Sequence, residues 1–162
     1  GGGLIATERE VNSDDPAMVA GEVFGRGLSR RDVQLTNAQV MTLRAAPVQV
    51  IAAPAANRTV IVHRIQVVSD SAGGAWTEPD VNNVALEYAS GLDIILIEAT
   101  GFVTTGSVQA RTYAPAVTEF TPPAASAVRL FQVGAAEFGG GNAANTLSIR
   151  VWYSLADTIA FT

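Results

Sequence analysis

The chain has 162 residues, enough for one packed core, and its 48% hydrophobic content against 15% charged residues excludes an intrinsically disordered polymer. Its formal net charge is −5, all ten basic residues are Arg and they are scattered, which argues against nucleic acid as a partner because no continuous positive stripe is available to neutralise phosphates. Cys is absent, so disulfides and thiolate metal sites are excluded; the longest apolar runs, such as Ile94–Ile97, are too short to span a bilayer, and a soluble chain is expected.

Residues 1–32 are Gly-rich and then polar, with Glu8, Arg9, Glu10, Asp14, Asp15 and Pro16 breaking any period that would bury a face. They read as an extended N-terminal arm, with one short strand at 20–24 and a flexible basic patch from Arg26 through Arg30 and Arg31 to Asp32. From residue 33 onward a single β-sandwich domain is expected. Thr36 is a suitable N-cap for a short helix over 36–44, since Val40, Met41 and Leu43 share a face and Pro47 blocks continuation. The pattern then turns to β. Val48–Ala52 and Arg58–Ser69 are rich in branched residues, with a turn at Pro54–Asn57 between them.

Residues 71–83 read as a long loop that carries Trp76 and Asp80. Val84, Leu86 and Tyr88 alternate with Ala85 and Glu87, and Ser90-Gly91 turns the chain into Asp93–Ala99. The run Ile94–Ile97 is apolar on both faces, which fits a central strand or a piece of short helix and favours the strand. Strands are expected again over Thr104–Tyr113 and Val128–Val133, with Phe138–Asn142 as a wide flexible turn. Asn145–Leu155 is the clearest alternating strand: Leu147, Ile149, Val151 and Tyr153 point one way, and Ser148, Arg150 and Trp152 the other. About eight short strands with one marginal helix suit an all-β sandwich of the jelly-roll type.

The search for chemistry finds no constellation. His63 is the sole histidine, Ser occurs in no Gly-x-Ser-x-Gly elbow, and the triple Gly at 139–141 lacks the Lys of a phosphate loop. Glu87, Asp93, Glu98 and Glu119 are the carboxylates from which a small hydrolase would draw an acid pair, and Asp70, Glu78 and Asp80 flank a loop whose oxygens suit calcium in type, though at no EF-hand spacing. The reading is therefore non-enzymatic, with no catalytic residue, no metal and no cofactor. Thin charge coverage instead suggests a surface that adheres to neighbours. Arg26, Arg30 and Arg31 of the basic patch, with Trp76 and Trp152, are the candidate partner-binding residues. Exposed aromatics among Trp76, Tyr88, Tyr113 and Trp152 would alternatively serve a carbohydrate-binding sandwich.

The stretch Val33–Pro54, which contains Leu35-Thr36, Ala38-Gln39-Val40, Leu43 and Pro47-Val48 in the pattern LTxAQVxxLxAxPVxxVxAP, resembles a segment of tailed-bacteriophage virion structural proteins. Arg58–Ile65 and the terminal Leu147–Tyr153 are similar to strands of the same proteins; residues 1–32 and 70–145 match no quotable motif. The resemblance implies a head-fibre or capsid-decoration (cement) subunit on the virion surface. Its partners would be the major capsid protein or other virion proteins, and it would form a homo-oligomer, most simply a trimer, without nucleic acid or membrane. A tail or baseplate component is the alternative within that class.

Overall fold

The strongest alternation in the chain sits at the centre of a sheet. The computed structural model describes residues 27–78, 83–115, 121 and 123–159. The expected strand at 20–24, together with Arg26, Asp80 and Glu119, lies outside the described residues. In chain order the elements are β1 (Ser29–Thr36), α1 (Asn37–Val40), β2 (Val48–Ile51), β3 (Arg58–Asp70), β4 (Trp76–Thr77), β5 (Val84–Tyr88), β6 (Asp93–Ile97), β7 (Val108–Tyr113), β8 (Val128–Gln132), β9 (Gly139–Gly140) and β10 (Thr146–Asp157). Ser29–Asp32, assigned to the arm by the sequence pattern, form the first half of β1.

Two four-stranded antiparallel sheets result, ordered β1-β10-β3-β7 and β2-β8-β5-β6, with β4 and β9 making a separate two-stranded ladder. Leaving the ladder aside, the eight longer strands fall in the order first-eighth-third-sixth in one sheet and second-seventh-fourth-fifth in the other. Leu35, Val60, Ile65, Val67, Leu147, Ile149 and Val151 of the first sheet share one buried cluster with Val50, Val84, Leu86, Ile95, Ile97, Val128 and Leu130 of the second. The period-2 pattern places each set on the inner face, so the fold is the expected all-β sandwich.

Local chemistry explains where elements stop. Thr36 caps α1 through a full capping box: its Oγ1 accepts from Gln39 N at 3.3 Å while its own N donates to Gln39 Oε1 at 3.0 Å. The helix is only 37–40, shorter than the expected 36–44, because the Glu137 carboxylate takes the backbone N–H groups of Arg44 and Ala45 at 2.8 and 2.7 Å. The expected strand from Thr104 begins only at Val108, since Gly101 and Gly106 at φ +77° and +73° turn the chain through an irregular segment, Ala99–Val103. The Ile94–Ile97 run is a strand, but at the edge of its sheet, which leaves Leu96 exposed on the outer face. Gly139-Gly140, expected as part of a flexible turn, pairs with Trp76-Thr77.

One buried polar contact ties the sheets together. Tyr88 donates its hydroxyl to Val60 O at 2.5 Å, and burial holds its phenol above the ordinary value of 10.0. The unfolded chain therefore ionises first, so this contribution is complete below pH about 10 and is lost as pH rises beyond it. Tyr88→Phe is expected to cost about 0.5–1.5 kcal/mol at neutral pH. It should also flatten the decline of urea-unfolding stability above pH about 10. Tyr113, also raised chiefly by burial, keeps part of that decline.

Candidate interaction surface

The outer face of the first sheet gathers the polar chemistry. Outward positions on β1, β10 and β3 stand in register as rows: Arg30, Trp152 and Arg64; then Asp32, Arg150 and Gln66; then Gln34, Ser148 and Val68. Alternation alone would leave these side chains in solvent. Arg150 grips Asp32 with both arms of the fork, Nε to Oδ1 and Nη2 to Oδ2 at 3.0 Å each, and Arg30 Nε reaches the same carboxylate at 3.4 Å. The hydrogen bond to Asp32 raises the Arg150 guanidinium above its ordinary value. Gln34 Nε2 donates to Ser148 Oγ at 3.1 Å.

A β-bulge lies between Trp152 and Tyr153, where β3 inserts His63. His63 and Arg64 are consequently both exposed, and the Arg64 guanidinium lies 4.1 Å above the Trp152 ring. Trp152 is thereby 9% exposed although it points outward, and its Nε1 is buried without a hydrogen-bond partner among the described residues. His63 meets Ser154 Oγ at 2.8 Å through Nε2. Beside this cluster is an open recess of about 460 Å³, lined by Asp32, Gln34, Gln66, Val68, Ser148 and Arg150.

Among the described residues the face thus holds three guanidinium groups against one carboxylate. Exposed ion pairs of this kind contribute about 0–1 kcal/mol each to folding, so the sheet does not depend on them. Arg64 has no carboxylate partner among the described residues.

The sequence-derived residues separate. Arg30 and Trp152 belong to this face. Arg31 points the other way and donates from Nε to Val50 O at 3.2 Å, linking the two sheets. Trp76 is 1% exposed, with Nε1 donating to Asn37 Oδ1 at 2.6 Å, and so has no ring face open to a partner. Its loop position suggested exposure, but the Gly139–Gly140 ladder folds over it. Arg64, Asp32 and Arg150 join Arg30 and Trp152 on this face without any local sequence signal that marks them as binding residues. Alternation placed Arg150 outward, but its neighbours are set by sheet order, which no local pattern carries.

Among the described residues the named aromatics and carboxylates are engaged within the fold. Tyr88 is buried, Arg64 covers Trp152, and Tyr113 is half-buried with its hydroxyl on Glu98 Oε1 at 3.2 Å. Glu87 is buried against Arg129 at 2.6 Å, Asp93 lies opposite it on the exposed edge, and Glu98 pairs with Arg111 at 2.6 Å. Asp70 Oδ1 accepts from Ala72 N, and Glu78 accepts from the Thr100 hydroxyl. Among the described residues no three potential metal ligands come together.

With this geometry in hand, comparison with solved structures gives a match. A chain of the cyanophage Pam1 capsid asymmetric unit shares the fold. The two superpose with a TM-score of 0.52 at 17% identity, over 89% of this chain and 96% of that one. The capsid chain is therefore close to this one in length, and the likeness spans nearly all of it. No protein-family model and no curated protein matches the sequence.

Proposed function

We propose that the chain is a non-enzymatic structural subunit of a phage virion, of the capsid-decoration or head-fibre kind, which assembles with itself and binds the head surface. The observation that carries this reading is the likeness to the Pam1 capsid chain over almost the whole of both molecules. The strand order supports it: first-eighth-third-sixth facing second-seventh-fourth-fifth is the order a jelly roll would have, an architecture common in viral capsids. The sequence resemblance over Val33–Pro54 points the same way. A chain of this size, matched to a capsid component of similar length, suits an accessory subunit that sits on a lattice and gains strength from many repeated weak contacts.

Quantitative mass spectrometry of gradient-purified particles tests the reading. The chain is expected at a copy number commensurate with an icosahedral lattice. Its absence from particles, with a monomeric mass for the purified protein, would count against the whole class.

A further inference from the structure

We infer that the Arg30–Arg64–Arg150 face of one copy is the dock for the acidic N-terminal segment, residues 1–26, of a neighbouring copy. The inference rests on the self-assembly proposed above and names the contact that makes it.

Charge complementarity within one chain carries the argument. Residues 1–26 contain five carboxylates, Glu8, Glu10, Asp14, Asp15 and Glu22, against Arg9 and Arg26, a net of −3 in a chain whose total is −5. The outer sheet face is locally of opposite sign: Arg30, Arg64 and Arg150 surround one carboxylate, Asp32, which Arg150 already holds in a bidentate pair. Among the described residues, Arg64 engages only the face of Trp152. The buried Trp152 N–H beside it has no acceptor among the described residues. A carboxylate laid across this row meets guanidinium fork donors from β1 and β3 at once, the arrangement that makes charge-assisted hydrogen bonds strong. Nucleic acid would meet the same guanidiniums, but a chain of net −5 repels it.

Reach and spacing fit as well. The described chain starts at Gly27, two residues before β1, an edge strand of this sheet, so the preceding segment is joined to the fold beside the face. Fully extended, 26 residues span about 85–95 Å, whereas the eight residues of β1 span about 27 Å. A segment of that contour length is long enough to reach past its own sheet to an adjacent one. Bound in extended form, Glu8 and Glu10 would fall on one side about 6.6–7 Å apart, the same repeat that separates outward residues along β10 or β3. Such an arm-to-face contact is heterologous, and a heterologous contact closes into a ring when its rotation permits.

Sedimentation velocity of the full chain tests this. The face variant carries Arg30→Glu and Arg64→Glu; the segment variant carries Glu8→Arg, Glu10→Arg, Asp14→Arg and Asp15→Arg. The wild-type protein is expected to sediment as a multiple of its 16.8 kDa chain mass. Each variant alone should fall to the single-chain mass with its circular dichroism and melting temperature preserved, and an equimolar mixture of the two, which can pair only in alternation, should recover species heavier than a single chain. High salt should dissociate the wild type, since the Debye length shrinks from about 10 Å at 0.1 M to about 3 Å at 1 M.

A wild-type protein that assembles while both variants keep its mass would overturn this inference and leave the structural role standing. So would variants that do not complement one another on mixing. A face variant of wild-type mass that no longer binds particles would assign the face to another virion protein, overturning it too. A monomeric wild type would remove the inference and the self-assembly beneath it together.

Discussion

Trp76→Ala is expected to lower the unfolding free energy by about 3–5 kcal/mol, the usual range for emptying a fully buried large aromatic site. At this chain length that corresponds to a melting temperature lower by roughly 10 °C. The side chain is 1% exposed, and its indole N–H holds Asn37 Oδ1 at 2.6 Å, so truncation both opens a cavity and strips a polar atom of its partner. The surroundings have little freedom to collapse. Gly141 N donates to Ala75 O at 3.1 Å, and Asn145 Nδ2 donates to Gly74 O at 2.7 Å, which clamps both strands of the small ladder around the ring. Differential scanning calorimetry checks the value; a change below about 1 kcal/mol would mean that the ring is not packed as described.

The second large effect comes from the other side of the same ring. Gly141→Ala is expected to destabilise by about 2–4 kcal/mol, of which about 1–2 comes from holding a residue with a Cβ at φ +77° and the rest from overpacking. A Cβ at that position would stand 2.6 Å from both Asn37 Oδ1 and Trp76 Cδ1, neither of which is the free end of a flexible chain. The clash predicts coupling. In the Trp76→Ala background two of the three obstructing atoms, Trp76 Cδ1 and Nε1, are gone, so the double variant should be less destabilised than the sum of the singles by about 1 kcal/mol or more. Urea titrations of the four proteins measure this directly, and strict additivity would separate the two sites.

These two residues also mark what local pattern could and could not reveal. Period-2 alternation identifies β10, because Leu147, Ile149 and Val151 alternate with Ser148, Arg150 and Trp152 over a strand long enough for the signal to dominate. Thr36 is readable as a cap because the capping box is closed within three residues. Trp76 sits in a Gly-rich stretch whose partner, Gly139-Gly140, lies far along the chain, so its burial leaves no local trace. Ile94–Ile97 shows its β character in branched side chains but not its place at the sheet edge. Sheet order arises from long-range pairing, and the same limit hid the candidate surface: Arg30, Arg64 and Arg150 come from three segments that only the order β1-β10-β3 makes adjacent. Individual members were visible as an exposed basic patch or an outward strand residue, but their convergence on Trp152 and Asp32 was not.

Electron cryomicroscopy of purified particles tests the central claim most directly. The account predicts two-sheet β-sandwich density of this chain's size on the outer capsid lattice, at a symmetry-related copy number and in contact with its own copies. Particles whose every density is explained by other chains, together with a purified protein that remains a single chain in solution, would contradict it.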